Sequence, residues 1–128
     1  MIERSVEYRA WNKIYKEMIY GIENVGRKKI IGESACETFG EVLSSWEFIV
    51  MQYTGLKDKN GIEIYEGDIV QITEDAVFGE EEELIGVVKY YECAFWIDDG
   101  EKAYPLFNEI SGREVIGNIY ENPELLNN

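Results

Sequence analysis

Three stretches of the chain gather side chains of the kind that bind ions, move protons or stack on bases. The first, Asp58-Lys59-Asn60-Gly61, has the oxygen-rich lead-in and glycine of a calcium loop. With Gly61 at the sixth position, the loop would need an oxygen ligand at residue 56 and a bidentate Glu at residue 67, where the chain has Leu56 and Gly67. The stretch therefore reads as a tight Asn-Gly hairpin turn, with Lys57, Asp58, Lys59 and Asn60 as an exposed candidate contact loop. The second group is carboxylates: Glu66-Gly67-Asp68, Glu80 to Glu83, and Asp98-Asp99. Exposed neighbours of this kind are solvated and lack the burial that tunes a pKa for acid–base work, and Asp68 is assigned to backbone N–H groups at a strand start. The third is aromatic and basic: Tyr8, Trp11, Tyr15 and Tyr20 interleave with Arg9, Lys13 and Lys16. Here alone base stacking could meet phosphate neutralisation. Alternation on a hairpin instead sends aromatics to a core face and cations to solvent, so Tyr8, Arg9, Trp11 and Lys13 form a candidate aromatic and basic hairpin assigned to structure.

Other chemistry lacks its parts. The chain has no histidine and no CxxC, which removes zinc ligation and thiol–imidazole catalysis. Cys36 and Cys93 read as small buried hydrophobes. Phosphate loops, dinucleotide fingerprints and a Ser-His pair are absent, so a non-enzymatic protein with no cofactor and no metal is expected.

The elements that must position these residues follow from composition. Of 128 residues, Ile and Val supply 25 against 11 for Leu and Ala, a balance that favours strands. With 45% apolar residues and two prolines the chain folds, and one of this size buries about two thirds of its surface. The spacing predicts an N-terminal hairpin over residues 6–11 and 18–22, a third strand near 27–31, a short helix within 33–45 interrupted at Gly40, and an extended run from Trp46 to Tyr53. Beyond the Asn60-Gly61 and Glu66-Gly67 turns come strands at 68–73, 84–91, 94–97, 102–104 and 114–120, with an acidic loop at 75–83 and a helical turn at Pro105–Ile110. Five short strands with a helical turn before the last is the order of an SH3-like barrel over residues 66–121. The expected fold is thus mostly β: an N-terminal β-hairpin region, residues 1–52, followed by an SH3-like small β-barrel region, residues 53–128.

Three segments resemble the YopX family of phage and prophage proteins. They are Arg9-Ala10-Trp11-Asn12 with Lys16-Glu17-Met18-Ile19-Tyr20, the block Met51-Gln52-Tyr53-Thr54-Gly55-Leu56 running through Lys57-Asp58-Lys59-Asn60-Gly61 to Glu66-Gly67-Asp68-Ile69-Val70, and Val115-Ile116-Gly117-Asn118-Ile119-Tyr120-Glu121-Asn122-Pro123-Glu124-Leu125-Leu126. Asn12 departs from the family's usual Asp, and Ile62 from a usual Lys. The resemblance implies a mostly β fold with an SH3-like part in a phage-encoded cytoplasmic protein, and supplies no catalytic mechanism.

Charge sets the partner classes. The net charge is −14, but residues 1–30 carry seven cations against four Glu, leaving −17 on the remainder. Such a surface repels nucleic acid and suits solubility or a basic partner. The start MIERSVEYRAW has no apolar signal core and no run is long enough to span a membrane, which predicts a cytoplasmic location and no membrane partner. The expected role is a phage accessory module that binds a protein partner or itself, as a homo-oligomer. The alternative is an acidic decoy that occupies the basic site of a host nucleic-acid-binding protein.

Overall fold

The computed structural model describes residues 6–24, 38–75, 81–106 and 112–126. The chain divides into two compact units, Met1–Tyr53 and Thr54–Asn128, and is mostly β, with two antiparallel sheets.

In the first unit, strands β1 (Tyr8–Asn12) and β2 (Glu17–Tyr20) make the expected hairpin, with Ala10 opposite Ile19. On its other edge β1 pairs with β3 (Phe48–Lys57), a strand that begins in the first unit and ends in the second. The strand expected at residues 27–31 lies outside the described residues. Helix α1 (Phe39–Ser44) is short because it is capped early at both ends. Thr38 Oγ1 accepts the Glu41 N–H at 3.1 Å, and Ser45 is already extended. On one face of the sheet Ala10 and Phe48 pack with Ile22 and Val42, and Tyr8 meets Phe39 with ring centroids 4.9 Å apart.

The opposite face corrects an expectation. Alternation places Arg9 and Trp11 there, yet Arg9 is 2% exposed and Trp11 7%, so Arg9 does not sit on a solvent face. The reason is that this face is covered as well: Met51, directly opposite Arg9 in the ladder, is equally buried. Arg9 is accommodated by Tyr20, whose hydroxyl accepts from Nη1 at 3.5 Å and whose ring centroid lies 5.9 Å from the guanidinium.

In the second unit, β4 (Glu63–Tyr65) follows the Asn60-Gly61 turn and is succeeded by β5 (Asp68–Asp75), β6 (Glu81–Tyr91), β7 (Ala94–Asp98), β8 (Ala103–Pro105) and β9 (Gly112–Asn118). Five of these form one sheet in the order β8-β7-β6-β5-β9, curled into a half-barrel, which is the SH3-like frame expected. The last strand returns to pair with the first, and a register shift between Ile69 and Val70 bends β5 where it does so. Val70, Ile72, Val88 and Ile97 point inward with Ile64 and Leu106 to make the core.

Two boundaries differ from the sequence reading. The acidic loop is shorter than residues 75–83, because the β5–β6 ladder continues through Glu74 opposite Glu82 and Asp75 opposite Glu81. Pro105 does not start a helical turn but closes β8, an edge strand where the missing N–H breaks no inward ladder bond. Residues 107–110 of that expected turn lie outside the described residues.

Strands β6 and β7 approach closely at Gly86, where an added Cβ would stand 2.7 Å from Ile97 Cγ2 and 2.9 Å from the Asp98 carbonyl oxygen. Gly86→Ala is expected to lower stability by about 1–3 kcal/mol in denaturant unfolding. A variant as stable as the parent would show that β6 and β7 separate there at no cost.

Candidate functional site

The residues that first suggested ion binding serve the backbone instead. Asp58 is 7% exposed, which corrects its place in an exposed contact loop. Its Oδ1 accepts the N–H groups of Asn60 at 2.8 Å and Ile62 at 2.9 Å, and its Oδ2 accepts that of Val115 at 2.9 Å. Three donors converging from two segments draw the carboxylate inward. Gly61, at φ 81°, supplies the left-handed residue that lets the turn close around it. Burial alone would raise the Asp58 pKa, but the bonds from Val115, Ile62 and Asn60, with the charge of Lys59, hold it below the ordinary carboxylate value. Lys57, Lys59 and Asn60 remain exposed, the latter two meeting Glu114 at 3.4 Å each. Asp68 Oδ2 accepts the Tyr65 N–H at 2.8 Å, as its assignment required. Asp99 Oδ1 accepts from Glu101 and Lys102, and those bonds lower its pKa.

The aromatic and basic hairpin is split by the structure. Tyr8 lies on the face toward α1, Arg9 and Trp11 are buried on the other, and of the four candidates only Lys13 is exposed. The Lys13 Nζ stands 5.9 Å from the ring centroid of Trp46, which is 69% exposed. The extended run expected from Trp46 begins at Phe48 instead, and Trp46 falls in the turn between α1 and β3. Its neighbour Glu47 was also missed. Glu47 is fully buried, and its Oε2 accepts from the Asn12 amide at 2.9 Å, while Asn12 Oδ1 caps the N–H groups of Ile14 and Tyr15.

A concave surface exists on the outer face of the half-barrel. Because Val88 and Ile97 point into the core, Ile85, Val87 and Lys89 of β6 and Asp98 of β7 alternate to the other side. They floor a groove of about 350 Å³ with Asp99, Gly100, Leu125 and Leu126. That volume lies at the small end of ligand clefts, room for a large side chain and its neighbours. The closing motif builds one wall: Asn118 Oδ1 accepts from Tyr120 and Glu121, Asn122 Oδ1 accepts from the Asn118 N–H, and the resulting tight turn leads into a 3-10 helix (Pro123–Leu126) that carries both leucines. Lys89 Nζ lies 3.7 Å from Asp98 Oδ2 across the floor. The same face continues with Tyr91 stacked on Trp96, centroids 5.7 Å apart and planes 16° from parallel, and the indole Nε1 donates to the Tyr91 carbonyl at 3.0 Å. Partial burial, then the charges of Asp98 and Glu92, push the Tyr91 phenol above its usual value, so it stays a neutral donor. A sequence signal for this groove existed: Leu84-Ile85-Gly86-Val87-Val88 is apolar on both faces, as a strand covered on both sides must be.

Cys93 is exposed, not buried, because it occupies the two-residue β6–β7 turn, where both Glu92 and Cys93 have positive φ. Cys36 lies outside the described residues. Among the described residues no three His, Cys, Asp or Glu side chains converge on a metal-sized site, and no helix is long and apolar enough to cross a membrane.

Residues 7–127 match the family model described as YopX protein. Two solved structures have the same fold. Protein EF1440 from Enterococcus faecalis is 27% identical, with 97% of this chain and 99% of that one covered at a TM-score of 0.60. Protein yopX from Bacillus subtilis is 22% identical, with 95% and 96% covered and the same TM-score. No match was found among curated proteins.

Two outcomes follow from the geometry. A carboxylate whose folded pKa is depressed stabilises above its unfolded pKa, near 3.9, and loses that contribution as pH falls through the folded value. Asp58→Asn leaves a buried N–H without its acceptor and is expected to cost about 1–3 kcal/mol at neutral pH. The deficit relative to the parent should narrow toward about pH 3 in parallel denaturant titrations, and pH curves of constant separation would refute the linkage. Asp98→Asn removes a negative charge beside Tyr91 and should lower that phenol's titration midpoint, followed by tyrosine ring NMR. An unchanged midpoint would show that the Asp98 charge does not act on the phenol.

Proposed function

The chain belongs to the YopX family, and on that premise we propose that it is a non-enzymatic module that binds protein through the outer face of its half-barrel. The observation that carries this reading is the groove itself: Ile85, Val87, Leu125 and Leu126 offer apolar contact, the Lys89–Asp98 pair crosses the floor, and the Tyr91–Trp96 stack continues the face. Aromatic anchors beside an apolar cleft are the composition of protein contact sites. The carboxylates that could have served chemistry, Asp58, Asp68 and Asp99, each hold backbone N–H groups, which favours a binding role over a catalytic one. As a phage or prophage accessory protein acting in the host cytoplasm, the role its family resemblance implies, it would act by occupying or joining other proteins.

Charge names the partner chemistry. Residues 54–128 carry 18 carboxylates against five cations, so the groove lies in a unit of net −13. A segment with apolar side chains and flanking cations fits such a site. The decoy reading draws on the same excess charge and differs in its competitor: a decoy is displaced from its target by DNA, because both use one cationic site.

The test is a titration with a short synthetic peptide alternating Leu and Arg, read by backbone amide chemical shifts. The expected result is saturable binding with shifts concentrated at Ile85, Val87, Lys89 and Leu125, weakened about tenfold or more by Leu126→Lys. Shifts spread evenly over the acidic surface, or indifferent to Leu126→Lys, would refute the groove as the binding site.

A further inference from the structure

The first unit carries a feature that complements this groove. Trp46 is 69% exposed and Leu43, three residues earlier, 58%. The β1–β2 turn lies beside them, because the Lys13 N–H donates to the Glu47 carbonyl at 2.8 Å. That bond brings Lys13 against the Trp46 ring, and Lys16, in the same turn, is exposed too. An indole with an ammonium already poised over its ring is a rigid, amphipathic knob, with little ordering cost left to meet on binding. Trp46 is the most exposed large hydrophobic side chain among the described residues, and Trp is a residue type enriched at the centres of protein contacts.

The two units also differ in charge. Residues 1–53 hold seven cations against eight carboxylates, whereas residues 54–128 are at −13. The groove offers Val87 and Leu126 for apolar contact, with Asp99 beyond the internally paired Lys89 and Asp98. The knob offers an indole and two lysines. We propose that the groove of one copy of this chain receives the Trp46 knob of a second copy, its indole on Val87 and Leu126 and its lysines facing Asp99. The proposal rests on the groove reading above and names its occupant. Knob and groove are different surfaces, so the contact is heterologous: each copy offers both, and joining them head to tail builds a ring or an open chain rather than a two-fold dimer.

The experiment uses the full chain and two variants at exposed positions, Trp46→Ser and Leu126→Lys, each first shown to unfold at the parent's midpoint. Sedimentation of the parent over a range of concentrations is expected to show concentration-dependent self-association. Each variant alone should self-associate about tenfold or more weakly. An equimolar mixture of the two should yield a one-to-one heterodimer, because Trp46→Ser keeps a working groove and Leu126→Lys keeps a working knob. A parent that stays monomeric, or a mixture no more associated than its components, overturns the proposal. If the Leu-Arg peptide still binds in the groove of such a monomeric parent, only the self-docking is lost; if that binding is also absent, the groove reading falls with it.

Discussion

The Asp58 carboxylate is the interaction on which the second unit depends most. It joins the turn between β3 and β4 to β9, a strand 57 residues away in sequence, by accepting three backbone N–H groups at 2.8–2.9 Å. An ionised acceptor makes these bonds stronger than neutral ones, and its burial is tolerated because the donors replace water around it. Val115 and its neighbours are thereby fixed against β5, and the return of β9 to β5 is what curls the sheet. Lys59 adds a backbone bond to Arg113 and an ion pair to Glu114, so the turn grips β9 at three successive residues.

The same device recurs. Asp68, Asp99, Asn118 and Asn122 each use a short polar side chain to satisfy the N–H groups of a turn that the ladders leave open. These residues are dense in the segments that carry the family resemblance, so the resemblance there is largely a record of how the turns are built. The two departures fit. Ile62 replaces a usual Lys at an exposed turn position where only the backbone is engaged. Asn12 replaces a usual Asp where its amide must donate to the buried Glu47 carboxylate, a contact two carboxylates would need a shared proton to make.

Taking up several polar side chains in this way leaves apolar and aromatic groups among those still presented outward. On the half-barrel they form a groove backed by the closing motif, and on the first unit a projecting indole held by a lysine. The two units carry unequal charge, −1 against −13. Electrostatics of this kind steers and selects contacts more than it strengthens them, and it leaves the apolar anchors to set residence time.

Local patterning made much of the fold legible. The β-branched bias, the hairpin alternation around Ala10, the Asn60-Gly61 and Asp98-Asp99-Gly100 turns and the order of the five strands each depend on neighbours in sequence, so the sequence by itself determined the mostly β class and the SH3-like frame. What required the tertiary structure was which face is covered. A period of two says that Arg9 and Trp11 share a side, but whether that side meets solvent depends on chain far away, and it is buried. Asp58 is read as solvated until Val115 arrives from β9, Trp46 is read as part of an extended run until the Lys13 turn is folded beside it, and Ile85 and Leu126 become one groove only when the C-terminal turn is in place. Burial and concavity are properties of non-local neighbours, and a single sequence specifies those only through the completed fold.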